Sequence, residues 1–244
     1  MMVKVLNRIF AGLVLLLVGA GAVCAGSFQV NPVRATLSPS QLVSAMTVTN
    51  TGTAPVVLQI EVLSWSQQNG QDVYTPTHDI IATPPIFTIP VGASQVVRAG
   101  LRHVSDTQRE LTYRLFLTEA PESPKSDFQG MQMRLRIGVP VFVLPAIKPL
   151  NDVIWKIYRT HEGLLELGLT NNGGAHLQVA NFKLTDTEGK ELVKQDLASY
   201  VLPGQSRNWS VKGFTAPGSL SNLRIFAQTD NGNLDSGLIA VESK

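Results

Sequence analysis

The stretch from Met131 to Pro145, MQMRLRIGVPVFVLP, carries the clearest structural signal in this chain of 244 residues. Every second side chain is apolar, in the order Met131, Met133, Leu135, Ile137, Val139, Val141 and Val143. A period of two places these side chains on one face of a β-strand. The run is long beside the five or six residues of a typical strand. It therefore predicts either a strand that buries its apolar face in its own core, or an edge strand that serves a partner.

The chain begins with a segment typical of a secretory signal peptide. Lys4 and Arg8 precede an almost unbroken apolar run, Ile9–Val23, and Val23-Cys24-Ala25 has the small-residue pattern of a cleavage site. The run is short for a membrane-spanning helix, which needs about 20 residues. We expect residues 1–25 to be removed during export, in preference to a retained membrane anchor or a lipoprotein signal. The mature chain would not insert into a membrane.

Charge and cysteine content restrict the function classes further. The whole chain has 20 basic and 18 acidic residues, and removal of residues 1–25 takes away two basic residues, so the remaining charges balance. A balanced charge does not favour nucleic-acid binding, which needs a concentrated basic face. The only cysteine, Cys24, leaves with the signal segment. The mature chain can then have no disulfide and no cysteine-ligated metal.

Short alternating runs separated by turn residues recur after the signal segment, and this spacing predicts an all-β sandwich. In the first half the predicted strands are Ala45–Asn50, Val56–Ser64, Ile86–Ile89, Ser94–Ala99, Thr112–Thr118 and the Met131 strand. Thr112–Thr118 has apolar residues on both faces and is expected to be a central strand. The segment 119–130, EAPESPKSDFQG, is expected to be an exposed loop.

A proline-rich connector, Pro145-Ala146-Ile147-Lys148-Pro149, separates the two halves. Strand signals then resume at Val153–Tyr158, Leu164–Thr170, His176–Thr185, Asn208–Val211 and Asn222–Thr229. Each half has about the size of one immunoglobulin-like domain, about 100 residues. We predict a signal peptide at 1–25, a first domain at 26–145, a stiff hinge at 146–149 and a second domain at 150–244, with a fixed cleft between the domains.

The sequence offers little support for an enzyme. The four histidines, His78, His103, His161 and His176, lack metal-ligand spacing. No H-E-x-x-H, G-x-S-x-G or phosphate-binding glycine loop occurs. We therefore expect no catalytic residues, no cofactor, no metal and no small-molecule substrate.

Two arginines are candidate binding residues. Arg34 follows Asn31-Pro32-Val33, and Arg114 interrupts an otherwise apolar strand. Arg34 is either a solvated strand arginine or an anchor for a carboxylate, because a guanidinium group binds a carboxylate through two parallel hydrogen bonds.

Taken together, the motifs of the mature chain resemble the periplasmic pilus chaperones of the chaperone–usher pathway, the PapD-like family. In family order they are Arg34 in the first strand, MTVTNTG at 46–52 in the second, then IATPPIFTIPVG at 81–92, SQVVR at 94–98, YRLFLTEAP at 113–121 and the Met131–Pro145 strand. The second half matches through LGLTNNGGAH at 167–176.

This resemblance implies two immunoglobulin-like sandwiches in a boomerang arrangement, with pilin subunits and an outer-membrane usher as partners. A pilin subunit lacks one strand, and the chaperone supplies it by donor-strand complementation. The subunit's terminal carboxylate is held by a basic pair in the cleft. The expected donor side chains are Met131, Met133, Leu135 and Ile137, whereas Val139, Val141 and Val143 should pack between the strand's own sheet and the hinge.

The sequence departs from the family pattern at one anchor position. The usual lysine, five residues before the closing proline of the donor strand, is replaced by Pro140. We expect Arg114 to be the substitute partner of Arg34. Pro140 has no N–H group, which suits an edge strand. The missing lysine and the methionine-rich donor segment are more similar to divergent branches of the family, including the archaic one.

Two other functions are alternatives. A secreted adhesin or pilus structural subunit would share the sandwiches, but it should carry an alternating N-terminal arm, whereas this chain enters its first strand soon after residue 25. An unrecognised hydrolase would need a serine, a histidine and an aspartate clustered in the cleft.

Overall fold

The computed structural model describes residues 28–103, 108–120, 133–217 and 220–243. The strands in these ranges are β1 Phe28–Asn31, β2 Ala35–Leu37, β3 Val43–Asn50, β4 Val56–Gln68, β5 Gln71–Pro76, β6 Ile80–Thr83, β7 Ile86–Ile89, β8 Ser94–Leu101, β9 Leu111–Glu119, β10 Arg136–Val143, β11 Val153–Arg159, β12 Leu164–Asn171, β13 Leu177–Thr185, β14 Glu191–Val201, β15 Ser206–Thr215, β16 Asn222–Thr229 and β17 Gly232–Ser243. Within these ranges, no helix is long and apolar enough to cross a membrane. The segment predicted as a signal peptide and the donor candidate Met131 lie outside the described residues.

The first sandwich consists of β1 to β10. One sheet has the order β1-β3-β8-β6, and the other has the order β2-β10-β9-β4-β5, with β7 also paired to β4. β9 lies between β10 and β4, which confirms the predicted central strand. Alternate residues of β9, Tyr113, Leu115 and Leu117, are buried in the core between the sheets.

The second sandwich consists of β11 to β17. β14-β13-β16-β17 form one layer and β11-β12-β15 form the other. β17 joins them, since its first part pairs with β16 and its last residues, Val241–Ser243, pair with β11. A separate apolar core, which includes Phe182, fills the space between the layers.

A buried asparagine closes the same kind of turn in each sandwich. The Asn50 side chain donates to the carbonyls of Ala54 and Ile89 and accepts from the N–H of Gly52. Asn171 donates to Ala175 and Val201 and accepts from Gly173 in the same way. Each asparagine satisfies backbone groups that the turn would otherwise leave buried and unpaired. The N-x-G motif at the ends of β3 and β12 therefore forms the same turn in both sandwiches.

The structure corrects two sequence predictions. The strand predicted from Met131 to Pro145 is shorter, because β10 covers only Arg136–Val143. Arg34 was expected in the first strand, but it lies in the bend between β1 and β2. Several strands had not been predicted, and they are β1, β2, β5, β6, β14 and β17.

Candidate functional site

The open edge of the first sandwich is the outer side of β10. On one side β10 pairs with β9 along its whole length, from Arg136 to Val143. On the other side β2 pairs with β10 only at Val141, Phe142 and Val143. No other strand in the described part of the chain covers residues 136–140 on that side. We call residues 136–140 the open edge. The next residues of the strand, Val141–Val143, are covered by β2.

Backbone alternation identifies the groups that face the open edge. The N–H of Glu119 in β9 donates to the carbonyl of Leu135 at 3.1 Å, and the N–H of Leu144 donates to the carbonyl of Leu37, the last residue of β2, at 2.8 Å. Odd-numbered residues therefore bond toward β9 and even-numbered residues toward the edge. Arg136 and Gly138 direct their N–H and C=O groups outward. Pro140 has no N–H group, and the β2 register places its carbonyl opposite the N–H of Ala35, which agrees with the expectation that proline suits this edge.

The apolar face of β10 becomes more buried toward the covered end. Met133, just before the strand, is 86% exposed. Leu135 and Ile137 are half-buried against the first core. Val139, Val141 and Val143 are fully buried. They pack in the core of the first sandwich, whereas the sequence predicted that they pack between the sheet and the hinge. The described donor candidates thus range from exposed to half-buried.

Arg114 lies against the opposite face of the same sheet. It faces Pro140 across the β9–β10 ladder. Its guanidinium carbon is 4.0 Å from the centroid of the Trp65 ring and 6.0 Å from that of Tyr200, and one nitrogen lies 3.5 Å from the carbonyl of Gly138. None of the carboxylates in the described ranges forms an ion pair with Arg114. Its cation is therefore oriented by aromatic rings and keeps its charge uncompensated by an acid.

Arg34 approaches the cleft from the bend before β2. Its guanidinium group is 3.0 Å from the carboxylate of Asp230, at the turn between β16 and β17 of the second sandwich. The side chain is still 42% exposed. Arg34 therefore joins the two sandwiches while part of its guanidinium group remains accessible.

The charges of both arginines act on the phenol group of Tyr200. Burial raises the pKa of Tyr200, and the positive charges of Arg34 and Arg114 act against that rise, while Asp230 adds to it. Arg114 lies 6.0 Å from the Tyr200 ring, and Arg34 is linked to the same region through Asp230 and His176, whose ring is 5.7 Å from that of Tyr200.

A small apolar cluster holds the two sandwiches together beneath these charges. Trp65, Phe142 and Leu202 are buried against one another, with Tyr200 alongside. The Gln67 amide donates to the carbonyl of Tyr200 and accepts from the N–H of Leu202, each at 3.0 Å. The contact is both apolar and hydrogen-bonded, so it favours one orientation of the sandwiches.

Histidine 176 forms an interdomain contact that sequence reasoning missed. Its Nδ1 is 2.8 and 2.9 Å from the two carboxylate oxygens of Glu110, and its Nε2 is 3.1 Å from Asp230. The ring stacks on Phe142 with centroids 3.5 Å apart. Because both ring nitrogens face carboxylates, the arrangement differs from a Ser–His–Asp triad, in which one nitrogen faces a hydroxyl. In the described ranges, no group of three or more His, Cys, Asp and Glu side chains could hold a metal ion.

Comparison with known proteins identifies the class. The family model described as pili and flagellar-assembly chaperone, PapD N-terminal domain, matches residues 27–148. The chain therefore belongs to the PapD-like family of pilus-assembly chaperones. No curated protein sequence matches it.

Solved structures show the same fold. A chain of the CsuC–CsuE chaperone–tip adhesion subunit pre-assembly complex, from the archaic chaperone–usher Csu pili of Acinetobacter baumannii, is 22% identical with a TM-score of 0.63, over 90% of this chain and 100% of that one. A chain of the Salmonella enterica SafA pilin–SafB chaperone complex is 17% identical with a TM-score of 0.59, over 89% and 97%. The E. coli chaperone DraB is 21% identical with a TM-score of 0.56, over 88% and 98%. The predicted fold of two immunoglobulin-like sandwiches is confirmed.

Proposed function

We propose that this protein is a periplasmic chaperone that binds pilus subunits by donor-strand complementation and delivers them to an outer-membrane usher. The observation that carries the proposal is the open edge of β10, which ends beside two arginines in the interdomain cleft. An unpaired strand edge presents N–H and C=O groups to another chain. A subunit that lacks one strand would pair with these groups and bury the alternating side chains beside them.

The proposed donor side chains are Met131, Met133, Leu135 and Ile137. Full burial of one apolar side chain contributes about 1.5–3 kcal/mol, and association costs about 4–15 kcal/mol. Three or four donated side chains would contribute about 4.5–12 kcal/mol, which is comparable to that cost, so the strand ladder and the carboxylate anchor have to supply the remainder. The exposed Met133 supports this role, since a flexible thioether adapts to pockets of different shape.

The proposed carboxylate anchor is the pair Arg34 and Arg114. Arg114 is oriented on Trp65 with no acidic partner among the described residues, and Arg34 keeps an accessible part of its guanidinium group. A subunit's terminal carboxylate between them would gain two charge-assisted contacts. The anchor would fix the register, because the open edge begins beside it.

The remaining parts of the proposal concern export and domain boundaries. A signal peptide at 1–25 would direct the chain to the periplasm, and domains at 26–145 and 150–244 would flank a hinge at 146–149. We propose no catalytic activity and no cofactor.

Substitution of the anchor tests the proposal. The probe is a pilin subunit of the same bacterium, truncated at its N-terminal arm so that it cannot polymerise, and co-expressed with the chaperone. Arg34→Ala should reduce its association by about 2–5 kcal/mol, while the exposed Arg98→Ala on β8 should bind as the native chaperone does. Subunit recovery and thermal unfolding are measured together. Equal recovery with Arg34→Ala and native chaperone would refute the anchor, and no recovery with native chaperone would refute the function.

A further inference from the structure

The contact between the sandwiches contains a continuous relay of charged groups. Glu110, just before β9, is fully buried and faces His176 of the second sandwich. His176 faces Asp230, which in turn pairs with Arg34 of the first sandwich. The relay thus crosses the interface twice and ends at the proposed anchor.

With Glu110 and Asp230 both ionised, only the imidazolium form of His176 satisfies both contacts. A neutral imidazole has one N–H donor and one acceptor nitrogen, whereas the imidazolium has two donors. Each ring nitrogen lies within 3.1 Å of a carboxylate oxygen. The neutral ring would therefore turn a lone pair toward either Glu110 or Asp230. It would also leave the buried Glu110 without a compensating charge, which is unfavourable.

We propose that His176, as the imidazolium, is a positioning residue that prepares Arg34 to receive a subunit carboxylate. The proposal rests on the proposed function of Arg34. Protonated His176 and Glu110 compensate each other across the interface and hold Asp230 in place. Asp230 then holds the guanidinium group of Arg34 in place. Because Asp230 shares its negative charge between Arg34 and His176, the charge of Arg34 is only partly compensated.

The charges around the ring explain why the proton matters for capture. The groups that face His176 are Glu110 from the segment before β9 and Asp230 from the β16–β17 turn, while Phe142 of β10 covers one ring face and the Tyr200 ring lies 5.7 Å away. With His176 charged, the three cations His176, Arg34 and Arg114 exceed the two carboxylates by one. An incoming carboxylate then completes the balance. With His176 neutral, the same carboxylate would enter a site that is already balanced.

The direction of the pKa shifts agrees with this geometry. Burial alone would lower the pKa of His176, but its hydrogen bonds to Asp230 and Glu110 and the charges of both carboxylates raise it above the ordinary value. Burial alone would raise the pKa of Asp230, but its contacts lower the pKa below the ordinary value. The largest of these contributions is the hydrogen bond from His176. A raised histidine pKa means that the contact is complete below the ordinary pKa of histidine and is lost as the pH rises through the raised value.

The first measurement follows the histidine rings of the free mature chaperone by NMR between pH 5 and pH 9. His176 should titrate above the ordinary pKa of histidine, about 6.5, and Glu110→Gln should lower its midpoint. The second measurement is the affinity for the truncated subunit over the same range. It should fall as His176 loses its proton, by at most about tenfold per pH unit for one linked proton. His161→Gln should keep this profile, and His176→Gln should remove it.

The outcomes separate the two hypotheses. An affinity that is independent of pH while Arg34→Ala abolishes binding would overturn the role of His176 and leave the proposed function intact. Native binding by Arg34→Ala would refute the anchor itself, whatever the titration shows. If His176→Gln fails to fold, Glu110→Gln takes its place, and an unmoved pH midpoint of binding in that variant would overturn the proposal. A His176 that titrates at or below the ordinary pKa of histidine would overturn it as well.

Discussion

The two ends of β10 share one apolar face but have different neighbours. At the covered end, Val141–Val143, β9 and β2 pair with both sides of the strand, and the side chains are fully buried. At the open edge, residues 136–140, only β9 is paired. The apolar face continues from the half-buried Ile137 to the half-buried Leu135 and the exposed Met133, both of which precede the strand. One pattern therefore serves the protein's own core at one end and remains available to a partner at the other.

This difference shows that the end of the pairing with β2, more than the apolar pattern, decides which part of β10 is available to a partner. A short β2 covers three residues of β10 and leaves the rest uncovered. Arg34 lies in the bend that leads into β2, so the residue that we propose as anchor stands at the boundary between the two ends. The geometry predicts that substitutions at the open end affect binding and those at the covered end affect stability.

The largest effect is expected from charges placed at the open end. Replacing Met133 and Leu135 together with Glu should lower subunit affinity by several kcal/mol, because carboxylates would enter apolar pockets of the subunit. The free chaperone should lose less, since Met133 is 86% exposed and Leu135 is only half-buried. Affinity for the truncated subunit and denaturant unfolding are measured on the same protein.

Arg134→Glu is the matched control for that double variant, because it adds negative charge to the same segment at a position of opposite parity. It should retain most of the affinity. Native-like binding by the double variant would contradict donor-strand complementation. Lost binding with collapsed stability would instead assign Met133 and Leu135 to the protein's own core.

The sequence predicted the alternation of β10 but not its limits. Period two follows from adjacent residues, and it correctly placed Val139 and Val141 on the apolar face. The boundary of pairing depends on β2, which is only three residues long and about 100 residues earlier in the chain. A strand of that length has too little pattern to be recognised, so the covered end and the open end could not be distinguished from sequence.

The charged groups of the cleft were only partly predictable for the same reason. Arg34 and Arg114 were singled out through motifs, and the charges of both act on the pKa of Tyr200. No role was predicted for His176, because the metal and catalytic motifs that would have indicated one consist of residues close together in the sequence. Its partners, Glu110 and Asp230, are 66 and 54 residues away. Only the packing of the two sandwiches brings these three side chains together.

A smaller effect, and one on stability, is expected at the covered end. Val141→Ala removes two methyl groups from a fully buried side chain and should lower the free energy of unfolding by about 2 kcal/mol. Subunit affinity should change little, because β2 already covers this part of β10. Val57→Ala on β4, where the side chain is exposed, should stay within about 0.5 kcal/mol. A loss of affinity at unchanged stability would mean that the subunit displaces β2 and that the two ends are not distinct.

The smallest effect is expected at Gly138, the middle of the open edge. A Cβ there would lie 3.0 Å from Cε1 of Phe116 and 3.4 Å from Cδ of Arg114. Gly138→Ala therefore requires a shift of the Phe116 ring, over which the Arg136 guanidinium carbon lies at 3.9 Å from the centroid, whereas the contact with Arg114 is an ordinary one. We expect subunit affinity to fall by about 1 kcal/mol, with a change in unfolding free energy no larger than that.

Gly100→Ala on β8 is the matched control, since its Cβ would meet only ordinary contacts, the closest at 3.4 Å from Val43. It should leave subunit affinity unchanged. Phe116→Leu should restore affinity to Gly138→Ala by making room for the new methyl group, and a double-mutant cycle measures this coupling. If Gly138→Ala binds as tightly as the native chaperone, the position of the Phe116 ring beside the open edge does not contribute to capture.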